Sequence, residues 1–274
     1  MAGIVKESFA GLQTLSGGTR TAVKTVRPWQ APLVYPDAEH PCPFCTRQQT
    51  DEHFVRRAGM EWKTFANNAT PFPYHRLLVP DRCWPESLLR RLGGALTLKV
   101  MIQLALDELV RTRPQIFPTW IYTHIGYGSG QNFPHLHWHL CGAPGTVPPA
   151  RTNGFPPDAA TLFDSKYASS AACGVRAGQV LILPKEEGVL WNDTAARADL
   201  IEHAHRVVKV FNRRFNKPDY CLFFALNDAE DWHCRYTPIL NNWGGSEFAA
   251  LEYETPFVLP WPHEATVEYL LKEE

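Results

Sequence analysis

Three histidines, His135, His137 and His139, alternate with the apolar residues Leu136, Trp138 and Leu140. On a strand this period of two places all three imidazoles on one face and sends the apolar side chains into a core. At a rise of about 3.3 Å per residue, neighbouring rings stand about 6.6 Å apart, close enough to line one phosphate-sized site. Imidazole suits such a site because its unperturbed pKa of about 6.5 lets it act near neutral pH either as an unprotonated nucleophile or as a charged donor. Directly upstream lies GYGSGQN, residues 126–132, whose glycines let backbone amides approach an anion closely.

A second set of residues suits a metal. Cys42 and Cys45 are separated by two residues, a spacing that lets both thiolates meet one tetrahedral Zn²⁺, although one pair is only half a site and cysteines also serve as small buried hydrophobes. The chain holds seven cysteines, at 42, 45, 83, 141, 173, 221 and 234, an odd number that argues against a disulfide framework. The first residues have no apolar core after a basic start, and no later stretch approaches the roughly 20 apolar residues that span a bilayer, so the expected location is the cytoplasm and no membrane partner is expected. With 45% hydrophobic and 20% charged residues and a net charge of −1, the 274-residue chain reads as globular and lacks the basic excess of a general nucleic-acid binder. A small anionic ligand stays compatible with that balance, since a local site can be positive on a neutral protein.

The elements that must carry these residues follow from hydrophobic period and turn signals. Residues 1–36 read as an irregular N-terminal arm. WKTFANN and HRLLVP suggest two short strands separated by the turn-rich ATPFPY, and residues 86–111 read as one or two helices. A strand, a Gly-rich turn and a second strand then fill residues 120–140. After a Pro- and Gly-rich connection, VLILPK, a helix from about Thr194 to Phe215, YCLFFALN and CRYTPIL repeat the order of the first half, which suggests a weak internal duplication. His203 and His205, two apart on that helix, diverge in direction and read as surface or capping residues, while His75 reads as a packed position.

The segment GSGQNFPHLHWHL resembles the signature of the histidine-triad (HIT) superfamily, three histidines separated by single apolar residues after a Gly-Gln turn. The resemblance implies that His137 attacks an α phosphorus to give a covalent nucleotidyl-histidine, that His139 contacts the phosphate or leaving group, and that His135 orients or binds metal. It implies a phosphate loop of Ser129, Gly130, Gln131 and Asn132, with His124 nearby. FANNATPFPYHRLLVP is similar to the family's first strands, which implies Phe65 beside the base and Asn67 or Asn68 on the ribose; read by themselves, these are a core residue and turn residues. Zinc-bearing members, and bacterial galactose-1-phosphate uridylyltransferases, complete a CxxC pair with a residue after the VIP-like strand and with the first triad histidine. The matching set is Cys42, Cys45, Cys83 and His135, a closed structural Zn²⁺ site, with Cys83 where a histidine is usual and with His40 and His53 as rival ligands.

The apparent second half points to the uridylyltransferase-like branch. The expected fold is α+β: two HIT-like repeats, each an antiparallel sheet with helices packed on one face, the catalytic repeat over 37–145, a connection over 146–176 and a degenerate repeat over 177–274. The chain departs from that branch at His139, where the transferases carry glutamine, at His124 and Asn132, where they carry asparagine and serine, and at His233 and Arg235, where a metal-holding histidine pair is altered, so no second metal is expected there. The resemblance thus implies a nucleotidyltransferase or phosphorylase acting on a nucleoside diphosphate-sugar or a dinucleotide. A hydrolase with water as acceptor and a non-catalytic zinc-containing nucleotide-binding module are the alternatives. By the same analogy it is a monomer or a homodimer.

Overall fold

The computed structural model describes residues 41–46, 51–57, 60–67, 72–83, 99–100, 103–104, 107–108, 119–129, 131, 133–142, 154–173, 178–185, 193–216, 218–226, 232–240 and 262–272. The arm expected over residues 1–36, and His40, Asn68, Gly130 and Asn132, lie outside them.

Among the described residues ten strands form one antiparallel sheet: β1 (His53–Arg57), β2 (Met60–Ala66), β3 (Tyr74–Pro80), β4 (Thr119–Ile125), β5 (Trp138–Gly142), β6 (Ala160–Asp164), β7 (Ala168–Ala172), β8 (Val180–Pro184), β9 (Asp219–Leu226) and β10 (Trp232–Ile239). Their order across the sheet is β1-β2-β3-β5-β4-β9-β10-β8-β7-β6, so the first five strands read inward from one edge as the last five do from the other. The halves meet where β4 pairs with β9, with Tyr122 opposite Phe223.

Alternation along each strand separates the two faces. One face is apolar: Trp62, Leu78, Ile121, Trp138, Leu140, Tyr220, Leu222, Phe224 and Tyr236 belong to one buried cluster with Leu200, Ile201, Val207, Val208 and Phe211 of helix α2 (Thr194–Arg214), which packs on β7, β8 and β10. A short helix α1 (Pro43–Thr46) precedes it in the chain, and α3 (His263–Leu271) packs against α2, β6 and β7. The start of α2 is set by Asp193, whose carboxylate accepts from the amides of Ala195 and Ala196, and its last turn carries Arg213 and Arg214 where the helix dipole favours cations. Helical turns at 99–100, 103–104 and 107–108 fall in the stretch expected to be helical. They are held to the sheet through Glu108, which accepts from the Thr64 hydroxyl at 2.6 Å and stands 3.5 Å from Arg76 Nε.

Several sequence expectations change here. HLHWHL is not wholly a strand: β5 starts at Trp138, and His135 and His137 precede it. Two strands, β6 and β7, lie within the stretch read as connection, and β1 and α3 also carried no recognised signal; ASSAA of β7 is too small and polar to show an amphipathic period. His203 and His205 are buried rather than surface residues; His203 meets the β6–β7 hairpin, where it bonds the hydroxyls of Ser165 (2.8 Å) and Ser170 (3.1 Å). Among the described residues no helix is long and apolar enough to cross a membrane.

Candidate active site and metal centre

The other face of the sheet carries the chemistry. Register aligns a row running across it: Phe65, Leu77, His139, Tyr122, Phe223, Arg235 and Leu181, from β2 to β8. His139 therefore lies on a central strand, flanked by Leu77 and Tyr122. The Tyr122 ring stacks on its imidazole with centroids 4.3 Å apart and planes 6° from parallel, which fixes the imidazole plane.

His137, two residues earlier, is almost wholly buried. Its Nδ1–H donates to the His135 carbonyl at 2.7 Å, so the lone pair of the neutral ring resides on Nε2. Burial lowers its pKa, partly opposed by that hydrogen bond, and keeps the ring unprotonated at neutral pH. Thr123, on the opposite face of β4, holds the His137 carbonyl at 2.7 Å. The ring centroids of His137 and His139 are 5.0 Å apart, closer than the strand spacing alone would give.

His75 joins this group, although its sequence position suggested only packing. Its Nε2 lies 2.9 Å from His139 Nδ1, and the Asn67 amide nitrogen lies 3.3 Å from the same Nε2. Burial first, then the repulsion that a protonated His137 would exert, pushes the His75 pKa down to about 4. Asn67, expected on the ribose, is thus in contact with His75. Phe65, 2% exposed, packs with Phe44, Leu77 and Val79. His124 lies 5.1 Å from His139 and 5.9 Å from His137 between ring centroids, within the same cluster.

Cys42, Cys45, Cys83 and His135 also come together. His135 Nδ1 stands 3.2 Å from Cys42 Sγ, 3.5 Å from Cys45 Sγ and 3.2 Å from Cys83 Sγ, and the Cys45 and Cys83 sulfurs are 3.6 Å apart. Around a tetrahedral Zn²⁺ with bonds of about 2.0–2.3 Å, ligand atoms lie about 3.5–3.8 Å apart, so this set nearly has the dimensions of a filled site. His135 Nε2–H donates to the Pro80 carbonyl at 3.1 Å, leaving the Nδ1 lone pair directed at the thiols, and burial lowers its pKa to about 4. Burial also raises the thiols of Cys45 and Cys83, which without a cation would remain neutral. Three thiols and one imidazole, without a carboxylate, fit zinc. His53, the rival ligand within the described residues, is on β1 opposite Thr64 and outside this cluster.

The turn before the histidines is bonded internally and to β9. The Gly128 amide donates to the Asp219 carboxylate at 2.7 Å, the amides of Ser129 and Gln131 donate to the Gly126 carbonyl at 3.3 Å, and the Gln131 side-chain oxygen accepts from Gly126. These groups, expected to meet a phosphate, are engaged within the turn and with β9. Gly126 is required there: its φ is +89°, and a Cβ would lie 1.9 Å from an Asp219 oxygen. Of the residues that sequence reasoning passed over, Tyr122 carried a usable signal, because it shares a face with His124 two positions on.

No family model matches the sequence, and no curated protein matches it. Solved structures do. A GalT-like protein from Arabidopsis thaliana superposes with a TM-score of 0.66 at 13% identity, covering 88% of this chain and 93% of that one. An ADP-glucose phosphorylase from Arabidopsis thaliana, with bound ADP-glucose, gives 0.66 at 12% identity over 85% and 91%. A uridylyltransferase gives 0.57 at 13% identity over 87% and 93%. The α+β fold of this chain is therefore the one shared by those GalT-like, phosphorylase and uridylyltransferase structures.

Proposed function

We propose that the chain is a nucleotidyltransferase or phosphorylase that acts on a nucleoside diphosphate-sugar or a dinucleotide through a covalent nucleotidyl-histidine on His137. The observation that carries this reading is the state of His137: buried, neutral, with Nδ1 tied to the His135 carbonyl so that Nε2 holds the lone pair beside His139 and His124. In the first step Nε2 forms a bond to the α phosphorus and the bond from that phosphorus to the bridging oxygen breaks, releasing a sugar phosphate or nucleotide. In the second an acceptor oxygen attacks the same phosphorus and frees Nε2. His139 meets the charge that develops on the phosphoryl oxygens, with its ring plane fixed by Tyr122 and its Nδ1 by His75. Gly130 and Asn132 would complete the phosphate contacts, with Ser129 and Gln131 shaping the turn and Asn68 or Asn67 near the ribose.

Zn²⁺ held by Cys42, Cys45, Cys83 and His135 would supply structure rather than chemistry: a closed set of four ligands leaves no position for substrate. These residues join α1, the end of β3 and the segment before β5. His135 thereby has two roles, since its ring faces the thiols while its carbonyl holds the nucleophile. In this reading the protein works on soluble cytoplasmic nucleotides, with residues 37–145 as the catalytic repeat and 177–274 as the degenerate one.

Water as the acceptor is the second reading. Its support is the contact of Asn67, His75 and His139, because an attacking water must lose a proton and a chain of imidazoles can carry one away. Initial-rate measurements with UDP-, ADP- and GDP-sugars and with dinucleotides test both. Parallel lines on varying donor against a sugar phosphate or inorganic phosphate would support transfer or phosphorolysis, turnover independent of acceptor would support hydrolysis, and no product from any donor would overturn both.

A further inference from the structure

We propose that His124, His137 and His139 form a second metal site that takes a divalent transition cation, Zn²⁺ above all, and that an ion there blocks the nucleophile reversibly. The proposal rests on the role given above to His137. A ligand nitrogen from each of the three rings lies within 4.8 Å of the others. Nitrogens around a filled tetrahedral zinc with bonds of about 2.0–2.1 Å lie about 3.4 Å apart, so small side-chain rotations would close the set on an ion. The rings stand steeply to one another, at 74°, 68° and 69°, so no two of them are stacked face to face.

The surroundings are those of metal-ligating imidazoles, whose second nitrogen is held by a partner. His137 Nδ1 is held by the His135 carbonyl and His139 Nδ1 contacts His75 Nε2, which directs both Nε2 atoms inward. His124 comes from β4 and is not one of the alternating three, so the third ligand is supplied by the pairing of β4 with β5. An all-nitrogen set suits Zn²⁺, Cu²⁺ or Ni²⁺ and not Mg²⁺ or Ca²⁺. It has three protein ligands and an open fourth position, and His124 and His139 are only partly buried, so an ion can enter and leave; the thiolate set is closed. A lone pair on His137 Nε2 that is bound to zinc cannot attack phosphorus, so occupancy of the site and formation of the nucleotidyl-histidine exclude each other.

The test starts from protein carrying one zinc per chain at the thiolate site. Titration with Co²⁺ is expected to add one ion with visible d–d absorption and without the sulfur-to-cobalt charge-transfer band that a thiolate site gives. His124→Asn and His139→Asn, each checked for retained thiolate zinc and an unchanged melting temperature, are expected to weaken that binding by at least about tenfold. Absence of the added ion, or binding unchanged in whichever variants remain folded, would overturn the site. Adduct formation from the best donor, compared with and without added Zn²⁺ or Mg²⁺, is expected to stop with Zn²⁺ alone. Adduct formed equally with zinc bound would overturn the blockade. If no donor yields an adduct while the Co²⁺ spectrum and its loss in the variants hold, the metal site stands and the transferase reading fails.

Discussion

The two halves of the sheet share a plan and differ in what they carry on it. Arg235 occupies in β10 the register position that His139 occupies in β5: His139 pairs with Leu77 and Tyr122, Arg235 with Leu181 and Phe223. Two positions earlier, His233 stands where His137 does. The match extends to the strand ends, where Asn67 N donates to the His75 carbonyl at 2.9 Å and Cys173 N to the Gln179 carbonyl at 3.0 Å. What the first half fills with His75, His137, His139 and their imidazole contacts, the second fills with Gln179, His233 and Arg235, beside an apolar cluster of Cys173, Leu181 and Leu183. The backbone can therefore present a residue at these positions in either half, and the chemistry depends on imidazoles converging. The first half alone, among the described residues, adds the cysteine-rich lobe that holds the His135 carbonyl against the nucleophile.

The comparison breaks most sharply at the nucleophile. His137→Gly is expected to lower turnover by on the order of 10⁴-fold or more, as loss of an attacking group does, whereas His233→Gln at the matching position should leave kcat near wild type; comparable losses in both would remove the asymmetry. Next comes the lobe. Cys42→Ser should release the metal, measured as zinc per chain, and lower stability by several kcal/mol in denaturant unfolding, because binding free energy of a structural zinc is folding free energy. No mutation matching it exists in the second half.

Acid should also act on the first half. His75 has a folded pKa of about 4 against an unfolded value near 6.5, so the unfolded chain binds the extra proton between them. Stability is full above about pH 6.5, falls as pH drops towards about 4 and levels below it, by at most about 3 kcal/mol for this one group. His75→Gln should flatten that part of the pH profile of urea unfolding. The smallest effect lies in the second half: Asp193→Ala removes the cap of α2 and should cost about 1 kcal/mol, with kcat unchanged.

The triad and the CxxC pair were legible because their chemistry is written in spacings of two and three residues. α2 was legible: expected from about Thr194 to Phe215, it runs Thr194–Arg214, so its end is within one residue of the expectation. The contact of His75 with His139 was not, since it depends on β3 pairing with β5 across 64 residues of chain. Nor was the engagement of the Gly128 amide, because Asp219 reaches it only through the pairing of β9 with β4. His203 was misread for the same reason: its partners, Ser165 and Ser170, belong to a hairpin whose short polar strands show no period.

The central claim, attack by His137, is tested most directly by intact-mass spectrometry after brief incubation with UDP-, ADP- and GDP-sugars and dinucleotides, followed by mapping of the modified peptide. The account predicts wild-type protein heavier by one nucleoside monophosphate, attached at His137, and no adduct on His137→Gly. An adduct on another residue, or product released with no histidine adduct at any time, would contradict it.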